Sequence, residues 1–160
     1  MHTRAQALID GYAANSWLIQ RHAEGLTDAG ALRQPDFEAI SFNWVLGHIV
    51  NHRNIALQAL GAASAWSEAL DAVYEQNPAG LTVVDQGLRL AQLLTDLAET
   101  ERRLGEILET ATDTFLDEVV DVHMGPKPRY DHVAGLQWHE TYHVGQLGIL
   151  KSLAMGDTAG

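Results

Sequence analysis

The chain has 160 residues, 46% hydrophobic and 19% charged, which fits one globular domain spanning 1–160 and excludes a disordered or fibrous chain. Ten Lys and Arg stand against 21 Asp and Glu, and the one adjacent basic pair, Arg102-Arg103, sits among Glu99, Glu101 and Glu106, so no nucleic-acid-binding patch is visible. Cysteine is absent, which excludes disulfides, thiolate metal ligands and a cysteine nucleophile.

The first residues, from Met1 to Gln6, lack the apolar core of a signal peptide, and no apolar run approaches the ~18 residues of a membrane span. A cytoplasmic protein with no membrane partner is the expectation. The first helix is predicted over Arg4–Ala23, with Leu8, Tyr12, Asn15, Trp17, Leu18 and Ile19 turned inward. A looser stretch containing Pro35 follows. Ser41 then reads as the N-cap of a second helix that reaches Leu60 and stops at Gly61. A short helical piece is expected from Trp66 to Tyr74, ahead of the turn chemistry of Asn77-Pro78-Ala79-Gly80.

Thr82 is predicted to open a third helix, with Asp85 in its first turn, where a carboxylate suits the helix dipole. Leu90, Leu93, Leu94, Leu97, Leu104 and Leu108 recur through it at helical spacing. The Val-rich and acidic stretch from Phe115 to His123 reads as extended. After Gly125-Pro126-Lys127-Pro128, a fourth helix runs from Tyr130 to Met155 and is closed by Gly156. Four such helices define an all-α, four-helix bundle.

Histidines carry the chemistry. The inner stripe of the fourth helix contains Leu136, Leu147, Leu150 and Ala154, with His143 at its centre and His139 about 40° to one side. Two imidazoles four residues apart therefore project together into the core. Buried ring nitrogens need partners, and a shared metal ion satisfies both. A third ligand has to come from elsewhere. The second helix offers His48 and His52, both turned away from the polar side formed by Asn43, Gly47, Asn51, Asn54 and Gln58. Periodicity does not choose between them. His2, His22 and His123 read as surface or loop residues, and His132, although near the stripe, as incidental.

Residues 139–143 spell His-Glu-Thr-Tyr-His, a literal match to the H-E-x-x-H zinc-protease pattern. The protease reading is poor, because Gln146 stands where the metzincin form needs Gly and Asp157 is the one carboxylate among the 17 residues after His143. Glu140 with His143 also makes an E-x-x-H pair, as in di-iron bundles. Such a site needs carboxylates from the facing helices, and none occurs from Ala39 through Ser67.

The run Trp44-Val45-Leu46-Gly47-His48-Ile49, with the later His139-Glu140-Thr141-Tyr142-His143-Val144-Gly145-Gln146-Leu147, resembles the signature of the DinB-like superfamily. That superfamily includes the YfiT-type bacillithiol transferases and the mycothiol-dependent maleylpyruvate isomerases. The resemblance implies a bundle of the DinB/YfiT-like type holding a divalent metal on His48, His139 and His143, with His52 beside the site as a hydrogen-bonding group. Zinc or nickel is expected, with iron or manganese also compatible with imidazole ligands. The implied activity is a thiol-dependent S-transferase, taking a small-molecule thiol and a small electrophile. Because cysteine is absent, any reactive sulfur must come from a cosubstrate.

Glu140 is the candidate catalytic base, or an orienter of an imidazole, with Gln146 and Tyr142 as weaker neighbours. Arg53, Lys127 and Arg129 are the cations available for an acidic substrate. The rivals are a metal-dependent hydrolase, which would turn over without thiol, and a non-enzymatic metal-binding or interaction bundle. A homodimer through an apolar helix face is a further expectation.

Overall fold

Side-chain caps start the first two long helices where the sequence places them. Thr3 accepts from the Gln6 amide at the head of α1 (Arg4–Ala23), and Ser41 accepts from the Trp44 amide at the head of α3 (Phe42–Ala59). Gly61, at φ 83°, provides the left-handed residue that ends the turn after α3. In chain order the remaining elements are α2 (Asp28–Ala31), α4 (Glu68–Glu75), α5 (Leu90–Thr110), α6 (Asp113–Asp117), β1 (Val119–Asp121), β2 (Pro126–Pro128) and α7 (Arg129–Gly156). This computed structural model describes residues 3–36, 40–75 and 87–156. His2, the turn at 77–80, Thr82, Asp85 and Asp157 lie outside them.

The third long helix begins at Leu90, later than expected, and residues 87–89 are not helical. The cap of α5 is not local. Asp28 at the head of α2 accepts from the Leu90 amide at 2.8 Å and pairs with Arg89 at 3.1 Å. The Phe115–His123 stretch is only partly extended. Thr112 caps the short α6 through the Phe115 amide, and the chain then turns into an antiparallel hairpin in which Val119 faces Pro128 and Asp121 faces Pro126. The hairpin turns through Met124 and Gly125, both at positive φ, and its second strand leads directly into α7.

α1 and α3 each pack against both α5 and α7, so the four long helices form a ring in the order α1, α7, α3, α5. Two apolar clusters fill the interior. One contains Ile19, Ile49, Val50, Leu93, Leu97, Val144 and Leu147, and the other contains Leu8, Tyr12, Leu57, Leu104, Val133 and Leu136. Between them lies a polar layer made by Ser16, Arg53, Thr100 and Glu140, one residue from each long helix.

Two faces differ from expectation. Trp17, at 61% exposure, and Leu18 point outward from α1, while Leu8, Tyr12, Asn15 and Ile19 are buried. Apart from the exposed Gln58, the polar side of α3 is covered by α4 and the segment before it. There Asn51 donates to Asp71, Asn54 accepts from the Ala65 amide, and Asn43 accepts from the Tyr74 hydroxyl. No helix among the described residues is long and apolar enough to cross a membrane.

Candidate metal centre

His48 sits in the middle of α3, stacked on Trp44 with ring centroids 4.7 Å apart. Its Nδ1 donates to the Tyr74 carbonyl at 2.7 Å, which directs Nε2 across the gap towards α7. Gly47 makes this contact possible, because a Cβ there would overlap the Tyr74 ring. The Tyr74 hydroxyl, held between Asn43 and the Leu88 amide, fixes the ring in turn. Tyr74 therefore orients His48, and it went unnoticed in the sequence because a backbone carbonyl, not its side chain, does the orienting.

On α7 the Nδ1 of His143 donates to the Gln146 side-chain oxygen at 2.6 Å, one helical turn on. Its Nε2 faces the Nε2 of His139 at 2.9 Å. Ligand nitrogens from His48, His139 and His143 all lie within 4.8 Å of one another. Burial is the main influence lowering the proton affinity of each. The His143 pKa falls to about 4, and those of His48 and His139 fall as well. These are neutral imidazoles, two of them with Nδ1–H anchored so that the Nε2 lone pair faces inward. Such a donor set fits a divalent cation, and the facing Nε2 atoms of His139 and His143 are otherwise satisfied only by sharing a proton.

His52 lies against this set but outside it, with ring centroids 4.1 Å from His48 and 4.7 Å from His139. Burial first, and then the neighbouring histidines, drive its pKa down to about 2, and its Nδ1 is buried with no hydrogen-bond partner. The other face of the ring looks into a cavity of about 260 Å³ lined by His123, Lys127, Trp138 and His139. His123, read from sequence as a loop residue, is thus brought to 6.1 Å from His52 by the hairpin. His132 is not incidental either. It is buried, and its Nε2 donates to the Val120 carbonyl at 3.0 Å, holding the hairpin on α7.

Glu140 does not take the role expected of it. Both of its oxygens accept from Arg53, at 2.9 and 2.6 Å, and the two side chains are 1% and 0% exposed. In this structure its carboxylate is committed to the buried pair with Arg53. Arg53 is likewise unavailable to a substrate, and Arg129 is bound to Glu118 and the Ala59 carbonyl. Lys127 is the cation that reaches the cavity. Tyr142 is exposed and lies edge-on to His143 at 5.3 Å.

The helical frame has a counterpart among known families. Residues 18–147 match the family model of the DinB superfamily, and the chain belongs to that superfamily. Among solved structures it is similar to a conserved protein from Enterococcus faecalis, with a TM-score of 0.79 at 17% identity, over 98% of this chain and 99% of that one. At that identity the likeness is one of fold. Among curated proteins nothing matches.

Proposed function

We propose that this protein is a cytoplasmic, metal-dependent S-transferase that joins a small-molecule thiol to a small electrophile, with zinc or nickel on His48, His139 and His143. The observation that carries the reading is the convergence of three neutral imidazoles beside a cavity large enough for a small molecule. A cation held there would supply Lewis acidity, lowering the pKa of a thiol or a water that reaches it.

The remaining work falls to the chain. The Tyr74 carbonyl and the Gln146 amide hold the two imidazole planes. Trp44 stacks on His48, Trp138 walls the cavity, and Lys127 offers a charge to an acidic group on either substrate. His52 and His123 form another part of the cavity wall. The resemblance to thiol transferases favours sulfur over water as the nucleophile, and the absence of cysteine requires that a cosubstrate bring it.

The test begins with elemental analysis of protein purified without an affinity tag. Near-stoichiometric metal is expected in wild type and in His52→Ala, with loss in His48→Ala and His143→Ala. Loaded protein should then consume an alkylating probe only when a thiol is added. Turnover without thiol would replace the transferase by a hydrolase. Failure of wild type to bind zinc or nickel would end the metal reading.

A further inference from the structure

The ten Lys and Arg of the chain are almost all engaged within it. Arg4, Arg21, Arg53, Arg89, Arg102 and Arg129 pair with carboxylates, and Arg33, Arg103 and Lys151 donate to backbone carbonyls. Lys127 differs. Among the described residues it is the one basic side chain that makes no ion pair and no hydrogen bond.

A shortage of carboxylates does not explain this, since the chain carries a net charge of −11. Asp121 stands on the facing strand and Asp131 four residues further along, yet neither takes the amine. Lys127 is instead half-buried in β2, where it lines the cavity of about 260 Å³ together with Trp138 and His139.

Asp131 lines the same cavity, and it too has no ion pair or hydrogen bond among the described residues. Its place in the first turn of α7 suits the helix dipole, which accounts for a carboxylate there but not for an unpaired cation in the same wall. Had the helix begun before Lys127, the two side chains would face each other one turn apart and pair. The strand that ends at Pro128 prevents this, so amine and carboxylate share a wall without meeting.

Two opposite charges held apart complement a ligand that carries two opposite charges of its own. A simple carboxylate would gain Lys127 and be repelled by Asp131, and a simple amine would meet the reverse. The cavity lies below the ~300–1,000 Å³ of drug-sized ligand sites, so its occupant is compact. Trp138, at 72% exposure, supplies an apolar wall for methylene groups.

We propose that this cavity binds the head group of a compact amino acid, with the α-carboxylate on Lys127 and the α-ammonium on Asp131. The inference rests on the reading of the cavity as the substrate site and deepens it. The head group belongs to the thiol cosubstrate, because His139 walls the same cavity and the thiol is the substrate whose sulfur has to reach the metal. The cosubstrate is then a cysteine-type thiol, gripped at the hairpin with its sulfur directed towards His139.

The test uses thioethers, which cannot become thiolates, so its outcome does not depend on the transfer reaction. S-methyl-L-cysteine carries both charges, 3-(methylthio)propionate lacks the ammonium and 2-(methylthio)ethylamine lacks the carboxylate. Titrations followed by the amide NMR shifts of Gly135 and Trp138 should show S-methyl-L-cysteine binding about 2–5-fold more tightly than either, the effect of one exposed charge contact. Lys127→Gln should bring it level with the amine, and Asp131→Asn level with the propionate. Lys151→Gln, which removes a cation near the other end of α7, should change nothing. The same order is expected for the protein as purified and after metal removal. Equal binding of the three thioethers, or no binding, would overturn the proposal. So would a preference that survives both cavity variants, or one present only with metal, which would put the ammonium group's partner at the metal rather than at Asp131. None of these outcomes bears on metal content or on thiol-dependent turnover, so the transferase reading stands or falls separately.

Discussion

Two polar layers lie one helical turn apart between α3 and α7, and they are built on opposite principles. In the first, Arg53 and Glu140 saturate each other, and the guanidinium also donates to Ser16 and to the Tyr12 and Leu97 carbonyls. In the second, His48 and His143 have outward partners, and ring nitrogens of His48, His139 and His143 converge on one point. His52 and Arg53 are neighbours in sequence, as are His139 and Glu140, so a difference of one position separates a closed ion pair from an open ligand set. Burial of polar groups does not by itself mark a functional site. What marks it is burial with donor atoms left facing one another.

The sharpest way to break this comparison is to open the closed layer. Arg53→Met strands a buried carboxylate and should cost about 3–5 kcal/mol in urea denaturation, while Arg53→Met with Glu140→Leu should recover most of that loss. A mild single variant would show that the pair is not closed off from water. Gly47→Ala comes next. The new methyl displaces Tyr74, for an expected loss of about 1–3 kcal/mol, and it removes the orienting carbonyl from His48. Metal affinity, measured by competition with a chromogenic chelator, should fall about 10–100-fold. An unchanged affinity would mean that the Tyr74 carbonyl does not position His48.

Acid has the smallest effect near neutrality. Folding holds His52 near a pKa of about 2 and His143 near about 4, and lowers those of His48 and His139, so below the ordinary histidine range the unfolded chain binds more protons than the folded one. Stability of the metal-free protein should therefore be level above about pH 7 and fall as pH drops from about 6.5 towards 4, by under about 1 kcal/mol per histidine between pH 7 and 6. Thermal melting across that range gives the slope, and His143→Ala should make it shallower by one histidine's share.

Helical periodicity was enough to read the bundle, because Leu8, Leu93, Leu97, Leu136 and Leu147 repeat on one side of their helices. The pairing of His139 with His143 followed from the same spacing. What stayed hidden depended on partners far away in the chain. Asp28 caps α5 from 62 residues away, so Thr82 looked like the better start. The cover over the Asn-rich side of α3 was not legible, because α4, which supplies it, is short and connects through loops. Trp17 and Leu18 read as inward because hydrophobicity does not say whether the missing water is displaced by this chain or by another. Glu140 read as catalytic because its motif says nothing of Arg53, which lies 87 residues earlier.

Arg53 itself stands on α3 and hydrogen-bonds to α1, α5 and α7 at once. No assembly of three helices can satisfy that guanidinium, and a bundle assembled out of register leaves a cation stranded in its centre. Partly folded forms of the chain are thereby penalised together, which makes folding all-or-none and ties the arrival of the last helix to the creation of the histidine cluster.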